Sequence, residues 1–234
     1  MATTLLAVET ALAEHRLKLD EWLDTVYHQS HADREYSGEL DCSYDSWGSI
    51  ESTVGIVFES ELTQQLSPDA LDSVLFFASR NEEIGCIIAW MGRIGPFSNA
   101  GRLSLPDFTF LCETSLSRSE DYVDYELVNC FHKILDLTTT QFDIVLRFFR
   151  RDYAYTKRCA IDVLATKGFT GIPDLARDLW GHDDCEYTKL SALTALKHSS
   201  SDDSLFRDLL VGFKTRFPVD DCEYRVKNIA FLES

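Results

Sequence analysis

Three observations predict an all-α chain, a right-handed α-solenoid of stacked helix pairs. Apolar residues recur at helical spacing in segments of 10 to 15 residues, separated by short polar breaks. Beyond residue 60 the chain lacks the long alternating Val, Ile and Thr runs, bounded by tight-turn dipeptides, that strands require. Tyr125, Tyr155, Tyr187 and Tyr224 hold comparable places at intervals of 30, 32 and 37 residues, with small or apolar stripes behind them. Such a period, with two helices per unit, marks a helical solenoid, in which each unit buries its apolar face on its neighbours. A compact non-repeating helical bundle is the alternative.

Taken in order, Leu5, Val8, Leu12, Leu19, Leu23 and Val26 line one face of an N-terminal helix that would cap the apolar end of the array. The stretch that follows, "SHADREYSGELDCSYDSWGSIESTVG", is polar, rich in Gly and Ser and too long for a simple connection, so an irregular acidic loop is expected. "STVGIVFESEL" fits either a short strand or a helix start. Residues 1–66 therefore form an N-terminal helix plus acidic loop, and residues 67–234 about five helix pairs. The first pair is "SPDALDSVLFFASR" with "NEEIGCIIAWMGRIG", and the second "LSLPDFTFLCETSLSR" with "SEDYVDYELVNCFHKILDL". The third is "TTTQFDIVLRFFRR" with "DYAYTKRCAIDVLATKG", and the fourth "GIPDLARDLWGH" with "DDCEYTKLSALTALKHS". "SDDSLFRDLLVGFKTRFPV" and "DDCEYRVKNIAFLES" complete the set.

Several of these segments resemble HEAT repeats over roughly residues 67–234. "YTKRCAIDVLATKG", "YTKLSALTALKHS" and "EEIGCIIAWMGRIG" are similar to the second helix of that repeat, with its small/apolar pattern and frequent terminal Gly. "PDLARDLW" and "PDALDSVLFF" are similar to the first helix, opened by Pro. The family's Asp and Arg at fixed places are only partly present. The resemblance implies a fold and a habit of presenting an extended face to a macromolecule; some HEAT-like proteins are alkylpurine DNA glycosylases or bilin lyases.

The duplicated "DDCEY", at residues 183–187 and 220–224, reads as a helix start. Asp183 and Glu186, like Asp220 and Glu223, have the spacing of an N-cap and its N3 partner, with Tyr187 and Tyr224 as apolar staples and the cysteines as filler. Cys185 and Cys222 on neighbouring units would lie about a helix-packing distance apart, on the order of 10 Å, too far to share a metal or a disulfide. His28 and His31, with Asp24 and Asp33 nearby, have ligand-like spacing that a polar helix end explains equally well. No metal and no cofactor are expected. No nucleophile elbow, phosphate loop, dinucleotide fingerprint or zinc-protease motif occurs, so no catalytic residue is assigned and the expectation is a non-enzyme.

The net charge is −17, and it is unevenly spread. Residues 1–66 carry −10, residues 67–140 −6 and residues 141–234 −1. Such a field repels phosphate and attracts basic surfaces, so a basic protein partner is expected and nucleic acid is disfavoured. Arg147, Arg150, Arg151, Lys157 and Arg158 would support a polyanion only if they share one outward face. The seven scattered cysteines, the lack of an apolar run long enough for a membrane helix and the absence of a basic leader suit a cytoplasmic protein. Within "ELDCSYDSWGSIE", Asp41, Tyr44, Asp45, Trp47 and Glu51 would form an acidic, aromatic anchor, unless Trp47 folds back to plug the array. The turns inside helix pairs would line one rim with Glu82, Glu83, Glu120, Asp121, Asp152, Asp183, Asp184, Asp220 and Asp221. The candidate partner-binding residues are thus Asp41, Tyr44, Asp45, Trp47, Glu51, Glu120, Asp121, Asp152, Asp183 and Asp184. An immunity-type protein neutralising a basic toxin or effector is the most concrete version, and a DNA mimic the other binding alternative.

Overall fold

A computed structural model describes residues 2–30, 41, 43–80, 103–118, 123–199, 203–218 and 223–234. Among the described residues there are eleven α-helices and no strand. The chain divides into two compact units, residues 1–134 and 135–234. The expected boundary after residue 66 falls inside the first unit, because the N-terminal helix packs on the helix that follows that point.

Unit 1 begins with α1, Ala2–Ser30. Val8, Leu12, Leu19, Leu23 and Tyr27 are its buried positions, at the spacing of one helical stripe; Tyr27 takes the place expected of Val26. Against it lie α2 (Trp47–Glu59) and α3 (Pro68–Arg80). The stretch that fits strand or helix is thus helical: Ile50, Val54, Val57 and Phe58 bury on one face, and that burial overrides the weak helix preference of β-branched residues. Pro68 opens α3 as its first residue. Arg16 ties α1 to α3, bonding Asp20 at 2.8 Å and Asp72 at 3.1 Å with its guanidinium 3.5 Å from the Phe76 ring centre. Next come α4 (Leu105–Leu116), capped by the Ser104 hydroxyl, and the short α5 (Asp124–Cys130), continued by a 3-10 turn at Phe131–Lys133. Phe108 and Phe131 meet at 5.0 Å in a tilted pair, both fully buried. The expected partner of α3, around residues 81–95, lies outside the described residues.

Unit 2 holds α6 (Thr139–Phe149), α7 (Ala154–Thr166), α8 (Ile172–His182), α9 (Glu186–Ser199), α10 (Asp203–Arg216) and α11 (Glu223–Glu233). Helices α6 with α7 and α8 with α9 pack as hairpins, while α9 also packs on α7, α10 and α11. Helix α6 starts with a complete capping box, the Thr138 hydroxyl accepting from the Gln141 N–H and the Gln141 carbonyl oxygen from the Thr138 N–H. Helix α7 stops at Gly168, whose φ of +77° only glycine adopts without strain. There Phe169 N–H bonds the Leu164 carbonyl and Gly168 N–H the Ala165 carbonyl, a Schellman closure. The stripe expected behind the tyrosines is buried: Cys159, Ala160, Val163 and Leu164 on α7, and Ala192, Leu193 and Leu196 on α9. The far end of the unit closes over Leu190, Leu193, Phe213, Ile229 and Leu232.

Candidate functional site

The four repeated tyrosines share one register. Tyr125, Tyr155, Tyr187 and Tyr224 are each the second residue of their helix, α5, α7, α9 and α11. Their environments differ. Tyr125 is buried at 7 % exposure, whereas Tyr155, Tyr187 and Tyr224 are 38 %, 49 % and 46 % exposed. In unit 2 they form a ladder. Tyr153 and Tyr155 meet edge to face at 6.4 Å. The Arg158 guanidinium lies 5.0 Å from the Tyr155 ring centre and 5.3 Å from that of Tyr187, so it is layered between two rings. Tyr187 and Tyr224 meet at 5.4 Å. Burial, and then the neighbouring Tyr187, pushes the Tyr224 phenol above its ordinary value, so it stays a neutral donor.

The tripeptide Tyr-Thr-Lys at 155–157 and 187–189 builds the base of this ladder. Both lysines point inward. Lys157 Nζ donates to the Phe149 carbonyl at 3.0 Å and sits 5.2 Å from the Phe149 ring centre. Lys189 Nζ donates to the Trp180 carbonyl and sits 5.1 Å from a Trp180 ring centre. Each ammonium therefore satisfies a carbonyl in the last turn of the preceding helix, where the helix dipole also favours a cation. Both threonines are buried. The Thr188 hydroxyl donates to Asp183 at 3.1 Å; the place equivalent to Asp183 is held by Arg151 in the earlier hairpin, and the buried Thr156 hydroxyl has no partner among the described residues.

The first copy of "DDCEY", residues 183–187, is a helix start of a different design from the capping box expected, and residues 220–222 of the second lie outside the described residues. Asp183 accepts from the Cys185 N–H at 2.9 Å, an Asx turn ahead of α9. Glu186 is the first residue of α9, too early to close a box. Instead it receives both Arg225 Nε and Nη2, at 2.8 and 2.9 Å, in a half-buried fork that ties α9 to α11. Cys185 is exposed, so it fills no space, and Tyr187 meets Arg158 and Tyr224. Asp184 bonds Arg216 at 2.6 Å, and that hydrogen bond holds its carboxyl below the usual range.

The acidic, aromatic anchor folds inward. Asp41, Tyr44 and Trp47 are all buried in unit 1. Asp41 accepts from Tyr27 Oη at 2.8 Å and pairs with Arg80 at 3.4 Å, while its carbonyl accepts from Trp47 Nε1 at 2.7 Å. Tyr44 lies 5.1 Å from Trp22 and 6.0 Å from Trp47. The physical reason is plain: a Trp and a Tyr cover more apolar surface than a loop can leave in water, and Asp41 supplies their polar edges with partners. Folding back is therefore what Trp47 does. Asp45 is exposed, Glu51 half-buried, Asp152 exposed, Asp183 half-buried and Asp184 exposed. Glu120 and Asp121 lie outside the described residues, as do Glu82, Glu83, Asp220 and Asp221. Asp152, Asp183 and Asp184 come just before α7 and α9, in the turns that lead into Tyr155 and Tyr187.

The five basic residues from 147 to 158 form no common patch. Lys157 is buried on a carbonyl, Arg158 is layered between tyrosines, Arg147 and Arg151 are half-buried, and only Arg150 is exposed. A shallow hollow of about 430 Å³ bordered by Asp136, Phe142 and Lys167 is a further concave feature of unit 2. Among the described residues no group of three or more His, Cys, Asp and Glu side chains has metal-holding geometry, and no helix is long and apolar enough to cross a membrane. His31 and Asp33 lie outside them.

The class defined is an all-α, multi-helix protein, consistent with a helical-repeat architecture. No family model, no curated protein and no solved structure matches the chain.

Proposed function

We propose that the chain is a non-enzymatic binding protein of HEAT-like helix pairs, arranged as a right-handed solenoid, that recognises a basic protein. Its most concrete form is an immunity-type protein that neutralises a basic toxin or effector. One observation supports this reading above the others. Unit 1 carries 23 acidic against 8 basic residues, a net of −15, while unit 2 carries 16 against 14 and is nearly balanced. Glu14, Glu21 and Asp24 are exposed along α1, on the side away from its buried stripe. A field of one sign raises the encounter rate with an oppositely charged protein and discourages phosphate-bearing ligands. Of the five basic residues from 147 to 158 only Arg150 is exposed, which weakens a glycosylase-like reading.

The test is co-expression with the product of the neighbouring reading frame. A stoichiometric complex with a basic protein, whose association rate falls steeply with salt, is expected. Absence of any complex, together with DNA binding that weakens with salt, rejects the proposal.

A further inference from the structure

The tyrosine ladder of unit 2 has a chemistry that the charge of unit 1 does not account for. We propose that it is the surface on which arginine side chains of the basic partner stack, their guanidinium planes lying on the exposed rings of Tyr187, Tyr224 and Tyr155. The inference rests on the basic-partner reading and adds the residue type that is recognised.

Arg158 supplies the geometry. It shows that a guanidinium fits between successive rungs, 5.0 and 5.3 Å from two ring centres. Tyr187 and Tyr224 keep about half of their surface in solvent although they touch each other at 5.4 Å. Aromatic side chains with few rotatable bonds, fixed on helices, lose little entropy on binding and are common anchors of interfaces. The charges beside the ladder also select a cation. Asp152 is exposed, and among the described residues Asp183 accepts from a backbone N–H and a hydroxyl and pairs with no base.

Stacked nucleobases would also suit exposed tyrosines, but single-strand binders add a cationic track for the backbone. Here the cations beside the rings are already engaged, Arg158 by the rings of Tyr155 and Tyr187 themselves. Lys157 and Lys189 turn inward to carbonyls, Arg216 bonds Asp184, and Arg225 forks onto Glu186. Arginine is favoured over lysine because its planar, weakly hydrated guanidinium stacks on rings, whereas an ammonium holds its water.

Labelled octa-arginine and octa-lysine peptides of equal charge, titrated by anisotropy into the intact protein, test this. The arginine peptide is expected to bind about tenfold more tightly. The double variant Tyr187→Ser/Tyr224→Ser is expected to abolish that preference and leave lysine-peptide binding unchanged. A readout independent of the variant's folding is the upfield ring-current shift of the arginine δ-methylene protons on addition of wild-type protein. Equal affinity for both peptides, or a preference kept by the double variant, overturns the ladder and leaves the basic-partner reading standing. Binding of neither peptide removes both. Tighter binding of octathymidylate than of either peptide overturns the inference in favour of nucleic acid.

Discussion

Thr156 and Thr188 occupy equivalent places in successive hairpins, yet only Thr188 has an acceptor for its hydroxyl. Replacing Thr188 by Val should cost about 1 kcal/mol, whereas Thr156→Val should be neutral or slightly stabilising, because it removes a buried hydroxyl that bonds nothing. Urea denaturation of the two variants checks the contrast, and equal losses would contradict it. His15 offers a second single-residue test. Its Nε2 faces Thr53 Oγ1 at 3.1 Å, and burial, helped by Lys18, lowers its pKa below the ordinary 6.5. The folded chain thus prefers neutral imidazole. Its contribution is complete above about pH 6.5 and fades as the pH falls, because the unfolded chain takes the proton first. The His15→Gln variant should therefore lose thermal stability less steeply than wild type between about pH 7 and pH 5; parallel curves would reject this. At this scale the sequence was least readable. A buried lysine or aspartate looks like any surface charge until its partner is known, and Asp41, Lys157 and Lys189 find theirs only through tertiary contact. The repeated Tyr-Thr-Lys tripeptide was the available signal for the lysines.

Helices were more legible because periodicity reports burial directly. The apolar stripes of α7 and α9 carry the same residues that the pattern assigns to the core, and the break at Gly168 is where a helix stop belongs. The Gly168→Ala variant has no neighbour within 4 Å to clash with, so its cost is conformational alone, about 1 kcal/mol, measurable as a lower urea midpoint. An unchanged midpoint would deny the strain. Composition misled where it replaced periodicity. Residues 47–59 sit in a Gly/Ser-rich context with β-branched residues and still form α2, since the face holding Trp47, Ile50 and Val54 has α1 to pack on. The "DDCEY" repeat marked equivalent positions correctly, but its Glu186 became a cross-helix ligand for Arg225, a role that spacing within one helix cannot reveal.

For the whole molecule, the uneven charge has a measurable consequence. Self-repulsion among the acids of unit 1 opposes its compact state, and screening relieves it as the Debye length falls from about 10 Å at 0.1 M salt to about 3 Å at 1 M. Amide exchange in α1 to α3 should slow with added salt, while exchange in α7 and α9 should change little; a uniform response would show that the charge distribution is not what matters. The division into units after residue 134 was not legible, because the helical pattern of the sequence continues across it and a shift in charge does not by itself mark where packing ends. The lysine bridges bear finally on the order in which the chain assembles. Lys157 reaches back 8 residues and Lys189 back 9, so each closes a small loop, whereas the fork between Glu186 and Arg225 spans 39. Short loops close in well under a microsecond and sacrifice little chain entropy, which places the two hairpins among the earliest structures to form and the tyrosine ladder, which needs both, among the later ones.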